Sequence, residues 1–313
     1  MRASGGWALR HFLQVLDASR DELAGIIDLA KRFRRDGYVG QPLRGKVAAL
    51  LFEKPSTRTR VSFSSAVLRL GGDVIYLPSS ELQLVRGEPL KDTARVLSRY
   101  VDVIVARLNL HSSLEEIVNY SSVPVINALT NLHHPCQALA DIATMHEYAG
   151  GWRFKVAYIG DCGNVCRSLV QMCALFGIPI TVASPKKYWL PAGEIQQYKE
   201  IASLAGGLLE FTEDPKAAAA DVDFIYTDVF VSMGMEAEYE ARLRDFLPRY
   251  RVTMKLFDVA RPGAKFMHCM PIKRGEEVEE EVVESSRSII FDQAEYRMHT
   301  SAALLAWIMG RTS

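Results

Sequence analysis

No part of the 313-residue chain stays apolar for long. Its longest apolar run, Ala302 to Met309, falls far short of the ~20 residues that a helix needs to cross a bilayer, so no membrane association is expected. Neither sign of charge is in excess: Lys plus Arg and Asp plus Glu each number 37. That balance offers no broad field for nucleic acid or anionic lipid, and any anion site has to be local. Cysteine is sparse. Five residues, Cys136, Cys162, Cys166, Cys173 and Cys269, are an odd number without a CxxC pair, which argues against a disulfide framework or a structural zinc and predicts free thiols. The first ten residues lack the charged start, apolar run and cleavage site of a secretory signal and are not rich in Arg and Ser, so a cytoplasmic location is expected. Internal repeats, low-complexity tracts and linkers are missing as well. Hydrophobic residues at 49% and charged residues at 24% match an ordinary globular protein and exclude disorder and coiled-coil composition.

What is present is an alternation of short apolar runs with helical patterns. The runs are Lys46-Phe52, Asp73-Leu77, Val101-Arg107 and Val123-Leu129, then Lys155-Asp161, Pro179-Pro185, Asp223-Val229 and Ala264-Pro271. Strands separated by amphipathic helices predict an α/β protein whose parallel sheets are buried on both faces. At ~150 residues per domain the length suits two domains. About four runs fall on each side of His134-Gly151, so the spacing predicts domains over 1–133 and 134–291. The segment Asp292 to Gly310 reads as a long terminal helix. Ligands of open parallel sheets sit beyond the carboxyl ends of the strands, which directs attention to the polar residues after each run and to one site in a cleft between the domains.

Six places are candidates for chemistry. After Phe52, Ser56-Thr57-Arg58-Thr59-Arg60 opens a helical pattern. Hydroxyls, unpaired N–H groups and the positive end of the helix dipole make an anion cradle, to which Arg58 adds a guanidinium fork. An N-cap with surface arginines is the plainer reading, and Arg60, facing elsewhere on the helix, fits it. His134-Pro135-Cys136-Gln137 puts Pro at a first helical position, so that an imidazole and an amide stand together at a strand's end. Capping or core packing is the alternative. Tyr158 to Val165 turns from strand to helix through Gly160 and Gly163 but lacks G-x-G-x-x-G, which discounts a dinucleotide. Cys162, Cys166 and Cys173 share one helical face and read as buried packing. Asp228 at a strand end with Ser232 before Gly234 suits an ammonium ligand, although alone it would pass for a loop. Neighbouring strand residues His268 and Cys269 point to opposite faces, so a His-activated thiol nucleophile is not expected. Arg297 on the last helix reads by itself as a surface ion pair with Asp292 or Glu295.

Taken together, Ser56-Thr-Arg-Thr-Arg60, His134-Pro-Cys-Gln-Ala-Leu-Ala-Asp141, Asp228-x-x-x-Ser-Met-Gly234, His268-Cys-Met-Pro271 and Phe291-Asp-Gln-Ala-Glu-Tyr-Arg297 resemble the ornithine carbamoyltransferase family, in order, from about Arg10 to Met309. The first two motifs are shared by carbamoyltransferases in general; the Ser-Met-Gly and His-Cys-x-Pro elements point to ornithine rather than aspartate. The resemblance implies transfer of a carbamoyl group from carbamoyl phosphate to the δ-amine of ornithine, giving citrulline and phosphate, with no metal or organic cofactor. It implies that residues 1–133 bind carbamoyl phosphate, with the terminal helix 292–313 returning to them, and that residues 134–291 bind ornithine. Ser56, Thr57, Arg58, Thr59 and Arg107 would hold the phosphate, and His134 and Gln137, with Arg58 and Arg107, the carbamoyl end. Cys269, Met270 and Arg297 would complete the reacting centre. Asn164, Asp228, Ser232 and the backbone of Met233 would hold ornithine. Gln83 resembles a position that reaches into a neighbouring subunit, which implies a homotrimer or a multiple of one. The sequence departs from the family pattern at Gly163, Met270, Gln293 and Tyr296. The rival readings are an enzyme for putrescine, N-acetylornithine or N-succinylornithine, a family member without activity, and a nucleotide-dependent oxidoreductase.

Overall fold

The structure is a computed structural model that describes residues 9–38, 40–83, 87–232 and 234–310. The chain divides into two compact units, Met1–Cys136 with Met298–Ser313, and Gln137–Arg297.

The first unit is built on a parallel sheet with strand order β2-β1-β3-β4, where β1 is Val47–Phe52, β2 Asp73–Pro78, β3 Val103–Arg107 and β4 Val125–Leu129. The inner strands β1 and β3 are almost wholly buried, as unbroken apolar runs covered by helices should be; β2, at the edge, stays partly exposed. α1 (Arg20–Asp36) precedes β1, and α2 (Thr57–Arg69), α3 (Leu90–Tyr100) and α4 (His111–Tyr120) run between the strands. A capping box of Ser19 and Glu22 fixes the start of α1.

The second unit holds a parallel sheet of order β7-β6-β5-β8-β9. Its strands are β5 (Val156–Ile159), β6 (Ile180–Ala183), β7 (Leu209–Thr212), β8 (Phe224–Thr227) and β9 (Lys265–His268). Between and after them come α6 (Asn164–Phe176), α7 (Ala192–Leu204), α8 (Pro215–Ala219), α9 (Tyr239–Phe246) and α10 (Glu280–Glu284). A strand falls on each of the eight apolar runs, β2 reaching one residue past its run to Pro78. The ninth, β7, has no counterpart in that reading: it is four residues long, lies at the sheet edge and buries only Leu209, so it carries little apolar signal.

Two helices span the division between the units: α5 begins at Pro135, as its sequence predicts, and runs to Ala149, and the terminal α11 covers Ile290–Ile308. Within the first unit the far part of α11 is held by Trp307 edge-on to Phe12 and by His299 bonded to the Tyr38 hydroxyl at 2.9 Å. Among the described residues no helix is long and apolar enough to cross a membrane.

Candidate active site

In the first sheet β2 lies on one side of β1 and β3 on the other, so the chain reverses its direction of travel across the sheet at β1. The connections leaving β1 and β3 therefore part to opposite faces and open a crevice at their carboxyl ends. The predicted anion groups stand there. Phe52 is paired with Arg107, the last residue of β3, and the Glu53 N–H bonds to the Arg107 carbonyl at 2.9 Å. Arg107 is buried, 6% exposed. Ser56 does cap α2: its backbone is extended and its Oγ accepts from the Thr59 N–H at 3.4 Å. Thr57 and Arg58 occupy the first turn, whose N–H groups have no carbonyl within the helix to meet. Thr59 is buried, whereas Arg60 lies 3.7 Å over the Tyr76 ring and has a packing role.

His134 is buried immediately before α5, on a loop fixed by neighbours. The Asn127 amide donates to the Leu13 carbonyl at 2.8 Å, the Thr130 N–H to the His133 carbonyl at 2.9 Å, and the Cys136 thiol to the Asn127 carbonyl at 3.3 Å. Gln83 is exposed and follows a short 3-10 turn.

The second sheet has its own reversal between β5 and β8. The loop after β5 carries Asp161 and leads to Asn164 at the start of α6. Gly163 has a steric reason: a Cβ there would sit 3.2 Å from Asp161 Oδ2. Past β8, Asp228 accepts from the Cys269 thiol at 3.0 Å and the Val229 N–H at 2.8 Å, both through Oδ1. Burial raises the Asp228 pKa, while these two hydrogen bonds draw it back. Ser232 is half-buried and precedes Gly234 in a left-handed conformation; Met233 lies outside the described residues.

His268 points away from service to the thiol. Its Nδ1 accepts from the Met270 N–H at 2.8 Å, so Nε2 carries the proton and donates to buried Glu277 at 3.0 Å. That bond stabilises Met270, a non-glycine residue at φ 56°. Asp228, His268 and Cys269 offer potential metal-ligating atoms within 4.8 Å of one another, yet both nitrogens of His268 are already engaged.

Also in the second unit, the Gln137 amide oxygen accepts from Arg297 Nη1, and both side chains are buried. Arg297 is thus no surface ion pair. Several polar residues went unnamed as site residues in the sequence. Arg242, 4% exposed, pairs with Asp161 and donates from Nε to the Phe230 carbonyl at 2.7 Å, joining the loops after β5 and β8. Burial raises Asp161 to about 6 despite that partner. Asp141 bonds to Gln137 one helical turn earlier, a spacing that was visible within the quoted motif.

Compared with known proteins, residues 10–147 match the aspartate/ornithine carbamoyltransferase carbamoyl-P binding domain and residues 153–308 the Asp/Orn binding domain of the same family. An ornithine carbamoyltransferase of Archaeoglobus fulgidus is 45% identical over 309 residues, covering 97% of this chain and 99% of that protein. One from Acidothermus cellulolyticus is 46% identical over 303 residues, 96% of this chain and 97% of its own length. Among solved structures, ornithine carbamoyltransferase from Pyrococcus furiosus superposes with TM-score 0.90 at 44% identity, covering 97% of this chain and 98% of that one. The anabolic enzyme from Campylobacter jejuni gives 0.92 at 37% identity, with 96% and 99% covered.

Proposed function

The chain belongs to the aspartate/ornithine carbamoyltransferase family, and from that membership and its site we infer that it transfers the carbamoyl group of carbamoyl phosphate to the δ-amine of L-ornithine, releasing L-citrulline and phosphate. The observation that carries the choice of acceptor is the buried Asp228 carboxylate bonded to the Cys269 thiol, with Ser232 four residues on and Asn164 opening the helix that follows the adjacent strand. A carboxylate, an amide and a hydroxyl suit a free α-amino acid, whose ammonium gains a charged partner in Asp228 that a neutral acylated nitrogen would not need.

The first-turn N–H groups of α2 with Ser56, Thr57, Thr59, Arg58 and Arg107 hold the phosphate. Gln137 and His134 take the carbamoyl amino group and carbonyl oxygen, and Arg297 and the Cys269-Met270 turn complete that end. Attack requires a neutral amine, while a free alkylamine has a pKa of ~10.4, so the site must orient the nitrogen after it loses a proton. Asp228 and Cys269 hold it. As the tetrahedral centre forms, charge builds on the carbonyl oxygen, and His134, Arg58 and Thr59 donate to it in an arrangement set before reaction. Collapse breaks the bond to phosphate, which leaves as the proton acceptor. The carbamoyl carbon is already activated, so the scheme needs neither metal nor organic cofactor. The assembly is a homotrimer or a multiple of one, with Gln83 contributed to a neighbouring site, and its location is cytoplasmic. Exposed apolar residues on α2 and edge strand β2, Val61 (56%), Leu68 (59%) and Ile75 (46%), support such an interface.

The test is phosphate release from carbamoyl phosphate with ornithine, putrescine, N-acetylornithine and N-succinylornithine in parallel. Turnover is expected with ornithine; greater turnover with any of the others overturns the acceptor.

A further inference from the structure

Behind Gln137 lies a closed set of buried polar groups, all within the second unit. Asp141 Oδ1 accepts from Gln137 Nε2 at 2.8 Å and from Gln293 Nε2 at 2.7 Å. Asp141 Oδ2 meets the Tyr226 hydroxyl at 3.0 Å, and that hydroxyl accepts from Gln293 Nε2 at 3.1 Å. Gln293 Oε1 in turn accepts from the His268 N–H at 2.9 Å. Asp141 and Tyr226 have no solvent exposure, and Gln137 and Gln293 are 2% and 1% exposed.

An amide side chain has nearly the same shape when its oxygen and nitrogen are exchanged, so only its neighbours decide which end faces where. Gln137 stands between a group that only donates, Arg297, and a carboxylate oxygen that accepts. A single orientation satisfies both, with the oxygen toward Arg297. That oxygen has a second lone pair for the amino group of a carbamoyl ligand. The reversed amide would turn N–H against guanidinium and ligand amine alike. Gln293 is fixed by the same logic, because a backbone N–H can only donate to it.

We propose that Asp141, backed by Tyr226 and Gln293, is a positioning residue that sets the Gln137 amide with its acceptor toward the carbamoyl amino group, and that the Tyr226 hydroxyl preserves this setting whether Asp141 is ionised or protonated. The proposal rests on the reading of Gln137 as a carbamoyl ligand. The hydroxyl is both donor and acceptor: it donates to the carboxylate, or accepts from the acid, and in either case Oδ1 remains free to receive the two amides. Both forms are accessible near neutrality, since burial lifts Asp141 to about 7 against the pull of its three hydrogen bonds and of Arg297. The other titratable group facing it is the buried Cys173 thiol of α6.

The test is a double-mutant cycle of Asp141→Asn and Tyr226→Phe, with Gln137→Ala as reference. Melting temperature and the kcat and KM of each substrate are measured for every variant. The amide introduced by Asp141→Asn is isosteric with the protonated acid: its oxygen receives the two glutamine amides while its NH2 donates to Tyr226. Each single variant is expected to lower kcat/KM for carbamoyl phosphate less than tenfold. In the double variant the NH2 faces a phenyl ring and can be satisfied only by turning toward Gln137, which must then reverse. A loss about 10–100-fold beyond the product of the single effects is expected, with the KM for ornithine moving far less. Tyr226→Phe removes one of the hydrogen bonds that draw the Asp141 pKa down, so this variant alone should also lose kcat/KM for carbamoyl phosphate, relative to the parent, as pH falls and its Asp141 gains a proton with no acceptor, the loss setting in above the parent's value of about 7. Additive effects, or a pH profile parallel to the parent's, overturn the positioning role. If they occur while Gln137→Ala is strongly impaired, the carbamoyl reading of Gln137 stands; if Gln137→Ala keeps the parent's kcat/KM for carbamoyl phosphate, that reading falls and the proposal with it.

Discussion

At the level of single side chains, Arg58 and Asp141 differ in how far the sequence exposes them. Arg58 lies in a cluster of hydroxyls and guanidinium groups just after an apolar run, a density that ordinary capping does not explain, and the structure puts it in the first turn of α2, on the connection that leaves β1. Replacing it with Ala should remove one preorganised donor and lower kcat by about 10²–10³-fold without loss of fold, checked by steady-state rates and circular dichroism. Carbamoyl phosphate binding by calorimetry should weaken in parallel. Asp141 is a different case. Its spacing from Gln137 is legible, but Tyr226 and Gln293 come from segments 85 and 152 residues away, and no local pattern announces that they converge on one carboxylate. Convergence also governs its titration. Its folded pKa of about 7 lies above the ordinary carboxylate value of 3.8, so the folded state retains a proton that the unfolded chain releases. Stability from this group is complete below the unfolded pKa and is lost as pH rises toward 7, at up to about 1.4 kcal/mol per pH unit. Asp141→Asn has no such dependence. Its melting temperature relative to the parent should therefore rise between pH 5 and pH 8; a difference that stays constant or falls contradicts the assignment.

Strands and helices were more legible than the bonds between their loops. β1, β3, β5 and β8 are short runs buried on both faces, and hydrophobicity alone locates them; β7 escapes because an edge strand of four residues with one buried side chain resembles a loop. Strand order is another matter, since pairing is set by long-range packing. It is this order that puts the reversals at β1/β3 and β5/β8 and brings together the loops that carry each sheet's candidate residues. In the second sheet Arg242 of α9 fastens two of those loops, bonding Asp161 after β5 and the Phe230 carbonyl after β8, with its guanidinium 4.5 Å over the Tyr188 ring. Replacing Arg242 with Met keeps the aliphatic stem but strands a buried carboxylate, a change that costs about 3–5 kcal/mol in comparable pairs. The KM for ornithine should rise at least tenfold while carbamoyl phosphate binding changes little. Adding Asp161→Asn should recover much of the stability, because the uncompensated charge is gone, but not the loop placement that only the guanidinium supplies. Thermal melts and ornithine saturation curves separate the two effects.

On the scale of the whole molecule, α11 shows how chain order and compactness diverge: Ile290 to Arg297 belongs to the second unit and Met298 onward to the first. Its helical character is evident from its spacing, whereas the division within it is not, since an amphipathic pattern records that a face is buried and not which body buries it. Assembly is still less legible. Val61, Leu68 and Ile75 are ordinary apolar residues in sequence, and they become informative only when the fold leaves them outside on α2 and β2. If these faces close a trimer in which Gln83 serves the neighbouring site, Gln83→Ala and Arg58→Ala damage different parts of one site and come from different chains. Each homotrimer is then poorly active. Co-dissociating and reassociating equal amounts lets some sites draw Arg58 from one chain and Gln83 from its neighbour, about a quarter of all sites if mixing is random in a closed ring. Activity should rise to roughly that fraction of the parent's, at the sedimentation coefficient of a trimer or its multiple. No gain above the unmixed variants, once exchange of subunits has been demonstrated by mass labelling, would place Gln83 outside the neighbour's chemistry.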